Sequence, residues 1–472
     1  MILLWIPLIL LLAAPLAWAA SVVRPSLARW TAIAALAVDS ALVFSLWQAP
    51  VQQGPWLQEI CLPWIPAFGA SLHLAADGIS LSLIALTLFL GFVSVIGSWR
   101  SPTAGLFHMM LLWLLSAVVS VFLAIDLFFF YVSWELMLIP AYFLIALWGS
   151  DGCQRAANKF FLFTQLGGLF LLAAILALYC INGQHTFDYR ALLSTPLSPT
   201  AATYLMVGFV IAFLVKLPSF PLHTWMPDAY STAPAATSIL LAGVLAKTGA
   251  YGLIRFVLPL FPQAVVDFAP IGWTLGVASI LYGAGMAFAQ TDLKKLIAYS
   301  SLSHMGFVTI GIFSGSALAL QGALIIMLAH GISISALFLI ADDLKERLGT
   351  QDITNMGGLW KHLGGIGLFF TAATFGLPGL GNFVGEFLVL LGVFSKSVPT
   401  AVVAALGLVL SSVYALWMMQ RVFFGNPGKR PDSKNHSARE ICLFGVMMAA
   451  LVWLGLYPEP VFNLLSLAVR GM

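Results

Sequence analysis

Ala201–Trp225 reads AATYLMVGFVIAFLVKLPSFPLHTW. Fifteen residues of almost pure hydrocarbon character lead into Lys216 and then into a pair of prolines. A lysine at bilayer depth costs roughly 2.5–3.5 kcal/mol even on a lenient insertion scale, so it is compensated locally or kept for a task. Proline removes a backbone donor and kinks a helix. In lipid, such a break survives only where neighbouring helices or buried water satisfy the freed carbonyls. This stretch therefore predicts a broken membrane helix with a buried charge at its break.

The rest of the chain has the same character. Its 472 residues are 61% hydrophobic and 8% charged, with a mean hydropathy of +0.99. Soluble domains carry about 25% charged residues, so the composition points to an all-α polytopic membrane protein. A span needs about 20 apolar residues, and fourteen candidates lie near 2–20, 31–48, 78–98, 106–125, 127–148, 160–181, 202–222, 235–259, 270–289, 296–314, 318–341, 363–392, 399–423 and 441–467. The segments between them are too short to bury a soluble core, so residues 1–472 read as a single membrane domain. The first run ends in AWAA, like a signal cleavage site, but lacks a basic leader and is expected to stay as a helix.

Lys and Arg set the orientation. The odd-numbered loops hold Arg24, Arg29, Arg100, Arg155, Lys159, Lys294, Lys295, Lys345, Arg347, Lys361, Arg421, Lys429, Arg430, Lys434 and Arg439; the even-numbered side holds only Arg190, Lys396 and Arg470. That bias puts the odd loops in the cytoplasm and both termini on the outer side. The net charge of +3 adds nothing about partners. The four cysteines, Cys61, Cys153, Cys180 and Cys442, form no C-x-x-C pair and are expected to be free thiols, with a Cys61–Cys180 link possible only if the fold joins them. No iron–sulfur or zinc framework and no Rossmann glycine fingerprint is present in the sequence.

A second apolar run is interrupted like the first. The seventh span reads LVKLPSFPLHTW and the twelfth TFGLPGLGNFVGEF. Broken helices in corresponding positions of two halves point to a transporter built from repeats, with the ion path at the breaks. The two breaks lie five helices apart, which suggests five-helix repeats over helices 4–8 and 9–13. Two independent proline kinks would look the same.

Further ionisable residues stand mid-span. Glu135 lies in LFFFYVSWELMLIPAYF; facing Lys216, it would form a pair in which moving or protonating one group changes the other's proton affinity, or else a static tie between helices. Lys247 lies in SILLAGVLAKTGAYGLIRF among Gly243, Ala246, Gly249 and Ala250, which allow close helix approach; a neutral lysine there can take up and release protons. His304 and His330 sit in the middles of spans 10 and 11, beside Ser301, Ser303, Ser333 and Ser335, which could hold water for a relay. Glu386 follows the second break and is the candidate exit group, or merely a cap on the broken backbone. Arg255 is expected to snorkel to the interface, and Asp39 to bond a neighbouring helix. Asp292, Lys294, Lys295, Asp342 and Asp343 read as a solvated cytoplasmic face, with Lys295 a lesser candidate for proton uptake.

The stretches FLAIDLFFFYVSWELMLIPAYFLIALWG, KLPSFPLHTWMPDAYSTAPAATSILLAGVLAKTGAYGLIRF, MAFAQTDLKKLIAYSSLSHMGFV and GLPGLGNFVGEF resemble the antiporter-like, proton-translocating subunits of respiratory complex I, the NADH-quinone oxidoreductase, and among them the M type. The resemblance runs from about residue 60 to the last helix. It implies fourteen helices with two inverted five-helix repeats, helices 4–8 and 9–13 (106–260 and 268–424), flanked by 1–105 and 441–472, with helices 7 and 12 broken. It also implies that Glu135 pairs with Lys216, that Lys247 is the central lysine, that His304 and His330 belong to a hydrophilic axis, and that Glu386 is the exit residue. Glutamate rather than lysine at 386, and a chain that stops after helix 14, favour the M type. Asp39 and Asp342–Asp343 depart from the pattern.

The implied function is proton translocation coupled to quinone reduction elsewhere in a multi-subunit enzyme of the bacterial inner membrane. NADH, FMN, iron–sulfur clusters and quinone are expected in partner subunits and no cofactor in this chain. The expected partners are the membrane-arm subunits on either side, lipids and protons, and not nucleic acid. Rival expectations are a sodium/proton antiporter subunit of a multi-subunit cation antiporter, a hydrogenase-type membrane subunit, and a structural spacer that conducts nothing.

Overall fold

The computed structural model describes residues 1–48, 56–99, 104–425 and 437–470. Arg100, Lys429, Arg430 and Lys434, which contributed to the orientation argument, lie outside the described residues. Among the described residues, twelve helices are long and apolar enough to cross a membrane. Two shorter apolar helices, Gly365–Thr374 and Gly381–Phe394, occupy the place of the twelfth expected span. The helix Leu293–Ile312 covers the tenth, with Lys294 and Lys295 at its start.

The chain folds into two compact units, Met1–Leu217 with Val244–Phe268 and Asn463–Met472, and Pro218–Gly243 with Ala269–Phe462. In the first unit, Ile2–Val23, Pro25–Trp47, Gly78–Gly97 and Ala104–Leu123 pack together. Their starts follow local chemistry: Pro25 sits in the first turn, where its missing N–H is no loss, and Asp77 with Ser80 forms a capping box ahead of Gly78. Leu127–Leu136 and Leu138–Ala146 follow, then Cys153–Asn182, which lies along Pro199–Lys216.

The sequence reading missed one element of this unit. Gln58–Ile65 (β1) and Ala70–Ala76 (β2) pair as an antiparallel hairpin, with Gly69 in the left-handed turn between them. Asp126 accepts from the Ser71 amide and hydroxyl and fastens the hairpin to the start of Leu127–Leu136.

In the second unit the helix Ala317–Leu348, buried through its apolar length, is the centre. Leu293–Ile312, Gly365–Thr374, Gly381–Phe394 and Ala438–Leu456 pack against it. The last expected span, 441–467, is two helices, since Ala438–Leu456 stops at Tyr457 and Pro458 and Glu459–Arg470 follows separately.

Both interruptions are present. Pro199–Lys216 ends at Leu217, just before Pro218, and the chain resumes helix only at Met226–Thr232. Between Gly365–Thr374 and Gly381–Phe394 the backbone turns through Gly376 (φ +77°) and Gly379 (φ +95°), a conformation that excludes most side chains.

Candidate functional site

In the first unit, Asp126 caps Leu127–Leu136 by accepting from the Phe128 and Phe129 amides. That helix carries Trp134 and Glu135 in its last turn. Glu135 Oε1 occupies the space a side chain on Gly168 would need: a Cβ built there falls 1.9 Å from the oxygen. The glycine in Cys153–Asn182 is thus the recess that admits the carboxylate.

Lys216 ends the broken helix at 1% exposure. Its Nζ lies 4.7 Å from the Trp134 ring centroid and makes no hydrogen bond to the described protein groups. Lys216 and Glu135 are near enough to act on each other electrostatically, but no direct ion pair joins them among the described residues. The ammonium is held on an aromatic face, an arrangement worth about 2 kcal/mol or more when desolvated.

Lys247 is fully buried in Ala246–Gly252, a short α-helical stretch between two π-helical turns, Leu241–Leu245 and Leu253–Val257. Such turns occur mostly at functional positions, where one extra residue per turn redirects side chains. Close approach is built in at Gly249, where a Cβ would meet the Phe213 carbonyl at 2.5 Å.

The second unit holds the histidines. His304 Nδ1 and Glu386 Oε1 are 2.7 Å apart, and both side chains are 1% exposed. On the other edge of the ring, His304 Nε2 meets the Tyr414 hydroxyl at 3.2 Å. The His330 ring lies 5.6 Å from that of His304. Glu386 Oε2 reaches the break itself, 2.8 Å from where Gly376 would place a Cβ. Asn382 ties the break to its surroundings by donating to the Ala373 carbonyl and to Ser333 Oγ. The first carboxylate oxygen of Glu386 thus serves His304 rather than capping backbone.

Several sequence expectations need correction. Arg255 does not snorkel; it is buried, ion-paired with Asp77 and stacked 4.7 Å from the Trp56 ring centroid. Asp39 is buried, but neither of its carboxylate oxygens has a hydrogen-bond partner among the described residues. Of the serines beside the histidines, Ser303 donates to the Ile280 carbonyl, Ser333 to that of His330 and Ser335 to that of Gly331, while the Ser301 hydroxyl has no hydrogen-bond partner among the described residues; none of this contradicts the expected role in holding water. Lys294 and Asp342 are not a solvated face but a pair at 2.7 Å, with the lysine 1% exposed. The four cysteines, by contrast, are free thiols as expected.

Trp134, Gly168 and Tyr414 were not singled out from sequence. An uncharged aromatic or glycine in an apolar helix gives no signal of its own; only the adjacency of Trp134 to Glu135 hinted at one. Among the described residues, no group of three or more His, Cys, Asp or Glu side chains could hold a metal ion.

The sequence profile of the NADH:quinone oxidoreductase/Mrp antiporter transmembrane family matches residues 124–412. The chain is 48% identical to NADH-quinone oxidoreductase subunit M of Pseudomonas aeruginosa, covering 100% of this chain and 97% of that protein. It is also 48% identical to subunit M of Escherichia coli over 98% of this chain and 96% of that one. A chain of respiratory complex I from Thermus thermophilus, solved with bound NADH, superposes with a TM-score of 0.91 at 32% identity, covering 100% of this chain and 99% of its own. With a profile matched from before Glu135 to beyond Glu386, full-length relatives at this identity and the same backbone course, the chain belongs to the NADH:quinone oxidoreductase/Mrp antiporter family of membrane subunits.

Proposed function

We propose that this chain is the M-type membrane-arm subunit of a bacterial NADH-quinone oxidoreductase and that it translocates protons. It is a multi-pass protein of the inner membrane, with both termini on the periplasmic side, and it works as one membrane domain with five-helix repeats over 106–260 and 268–424. The chemistry of NADH oxidation and quinone reduction belongs to partner subunits, where NADH, FMN, iron–sulfur clusters and quinone bind. This chain contributes protonatable side chains. Its neighbours are the other membrane-arm subunits.

The observation that carries the reading is the buried His304–Glu386 contact at 2.7 Å beside a broken helix. A structural site has little use for a carboxylate and two imidazoles in hydrocarbon, whereas a proton path needs groups that exchange protons by small movements. In our reading, a change in the electrostatics of neighbouring subunits moves Glu135 relative to Lys216. The change in the lysine's charge environment is passed to Lys247, and protons leave by way of His330, His304 and Glu386. Energetic coupling of this kind requires two discrete arrangements at each step, which spatial order alone does not supply.

Assembled membranes carrying Glu386→Gln test the reading. Loss of proton pumping, with the complex intact, supports it; wild-type pumping contradicts it. A sodium/proton antiporter is the second reading, because the matched family spans Mrp antiporters. Pumping that persists in sodium-free buffer decides against it.

A further inference from the structure

Residues 233–235 join the short helix Met226–Thr232 to the start of the helix Ala235–Leu260. Ala233 and Pro234 are both extended, and the new helix begins with no side-chain cap of its own. The first four N–H groups of a helix have no partner inside it, and a buried end without one is costly. Here the partner comes from far along the chain. Asp342 Oδ2 accepts from the Ala235 amide at 3.0 Å, while Oδ1 meets Lys294 Nζ at 2.7 Å. Lys294 Nζ in turn donates to the Ala233 carbonyl at 2.9 Å. One carboxylate and one ammonium thus grip the two sides of Pro234.

We infer that Lys294 and Asp342 are positioning residues for proton transfer, clamping the Ala233–Ala235 junction so that the helix beginning at Ala235 starts from a fixed point; this inference rests on the translocation reading above. Lys294 is buried and Asp342 partly exposed, and an ion pair with a buried member is seldom needed for stability, because packed apolar side chains of similar volume are usually as good or better. What it provides is geometry, and the two backbone bonds here direct that geometry onto one peptide junction. A carboxylate at a helix N-terminus is also favoured by the helix dipole. The adjacent Lys295–Asp228 pair, 3.9 Å apart and well exposed, does not share this role.

The test uses the assembled complex in membranes, with proton pumping and NADH-quinone turnover measured together. Asp342→Ala removes the carboxylate and both of its contacts. Pumping is expected to fall about tenfold, as misplacement of a group by about an ångström can cost that or more. Asp342→Asn keeps an acceptor for the Ala235 amide and is expected to retain more than half of the activity. The charge-reversed pair, Lys294→Asp with Asp342→Lys, restores the ion pair but can satisfy neither backbone group, and pumping is expected to stay low. Full rescue by the reversed pair would overturn the clamp, as would equal losses in Asp342→Asn and Asp342→Ala. If Asp342→Ala does not assemble, the comparison of Asp342→Asn with the reversed pair decides alone. Lys247→Ala in the same membranes separates the two levels. Wild-type pumping there overturns the translocation reading, and with it the role given to the clamp. Normal pumping in Asp342→Ala beside a loss in Lys247→Ala overturns the clamp only.

Discussion

The ammonium of Lys216 rests on the face of Trp134, 4.7 Å from the ring centroid, and not on the carboxylate of the next residue, Glu135. The indole therefore holds the lysine at the break, while the carboxylate sits in its recess against Gly168 with no direct ion pair to the ammonium. An aromatic face stabilises the cation without giving it a proton acceptor, which suits a group whose charge must be poised rather than fixed. Trp134→Leu should reduce pumping about thirtyfold, corresponding to the loss of roughly 2 kcal/mol of cation–π stabilisation. Trp134→Phe should be milder. Equal activity in all three proteins would show that the lysine takes its position from elsewhere.

Gly168 offers a probe of the carboxylate itself. An added methyl group would fall 1.9 Å from Glu135 Oε1, so Gly168→Ala must push the side chain out of its recess. Alanine within a helix is otherwise better than glycine by about 0.5–1 kcal/mol. The variant should therefore assemble and yet lose pumping to the extent that Glu135→Gln does. Wild-type pumping in Gly168→Ala would argue that the position of the carboxylate does not matter.

Tyr414 holds the edge of His304 opposite Glu386. In the tautomer that donates Nδ1–H to Glu386, Nε2 is the acceptor that faces the tyrosine hydroxyl. Tyr414→Phe removes that hydroxyl with almost no change in packing. A net loss of about 1 kcal/mol, or roughly fivefold in rate, is expected. Pumping assays on assembled complex, alongside His304→Ala as the lower bound, measure it; an unchanged rate would leave the tyrosine a packing residue.

The hairpin outside the spans gives a pH-dependent prediction. His73 meets Asp188 through Nδ1 at 2.5 Å and Glu59 through Nε2 at 2.6 Å, and Arg190 pairs with Glu59. Burial alone would lower the pKa of His73, but hydrogen bonds and charges from Asp188 and Glu59 outweigh it and raise it above 6.5. The raised value means that this contribution is fully present below pH 6.5 and is lost as pH climbs through the folded-state pKa. Asp188 is half-buried, which by itself would raise its pKa, yet its contacts with His73 hold it below 3.8, so its contribution fails only in acid. Protection factors of β1 and β2, which correct exchange for its base-catalysed intrinsic rate, should therefore fall on the alkaline side, and His73→Asn should flatten that dependence. The same alkaline fall in protection in His73→Asn would place its origin outside this cluster.

Much of the fold was legible because hydrocarbon makes polar residues conspicuous. Lys216, Glu135, Lys247, His304, His330 and Glu386 each interrupt an apolar run, and all but the half-buried Glu135 are buried in the structure. The two helix breaks could be read from proline and glycine for the same reason. Partner choice was not legible. Arg255 finds Asp77 from 178 positions away, and Lys294 finds Asp342 across two helices; one-dimensional spacing holds no trace of either. Charges at the ends of spans look alike whether solvated or paired, so the Lys294–Asp342 pair was taken for surface. The hairpin was missed because the stretch between the second and third spans stood out only as too polar for a span, and the pairing of Gln58–Ile65 with Ala70–Ala76 rests on backbone hydrogen bonds that residue types do not announce.

The central claim is that buried Lys247 takes part in moving protons. Proton pumping measured alongside NADH-quinone turnover, in membranes where Lys247→Ala complex is shown to assemble, tests it most directly. Loss of pumping, with or without turnover, is the predicted result. Wild-type pumping at wild-type turnover would contradict the account and leave the lysine a structural residue.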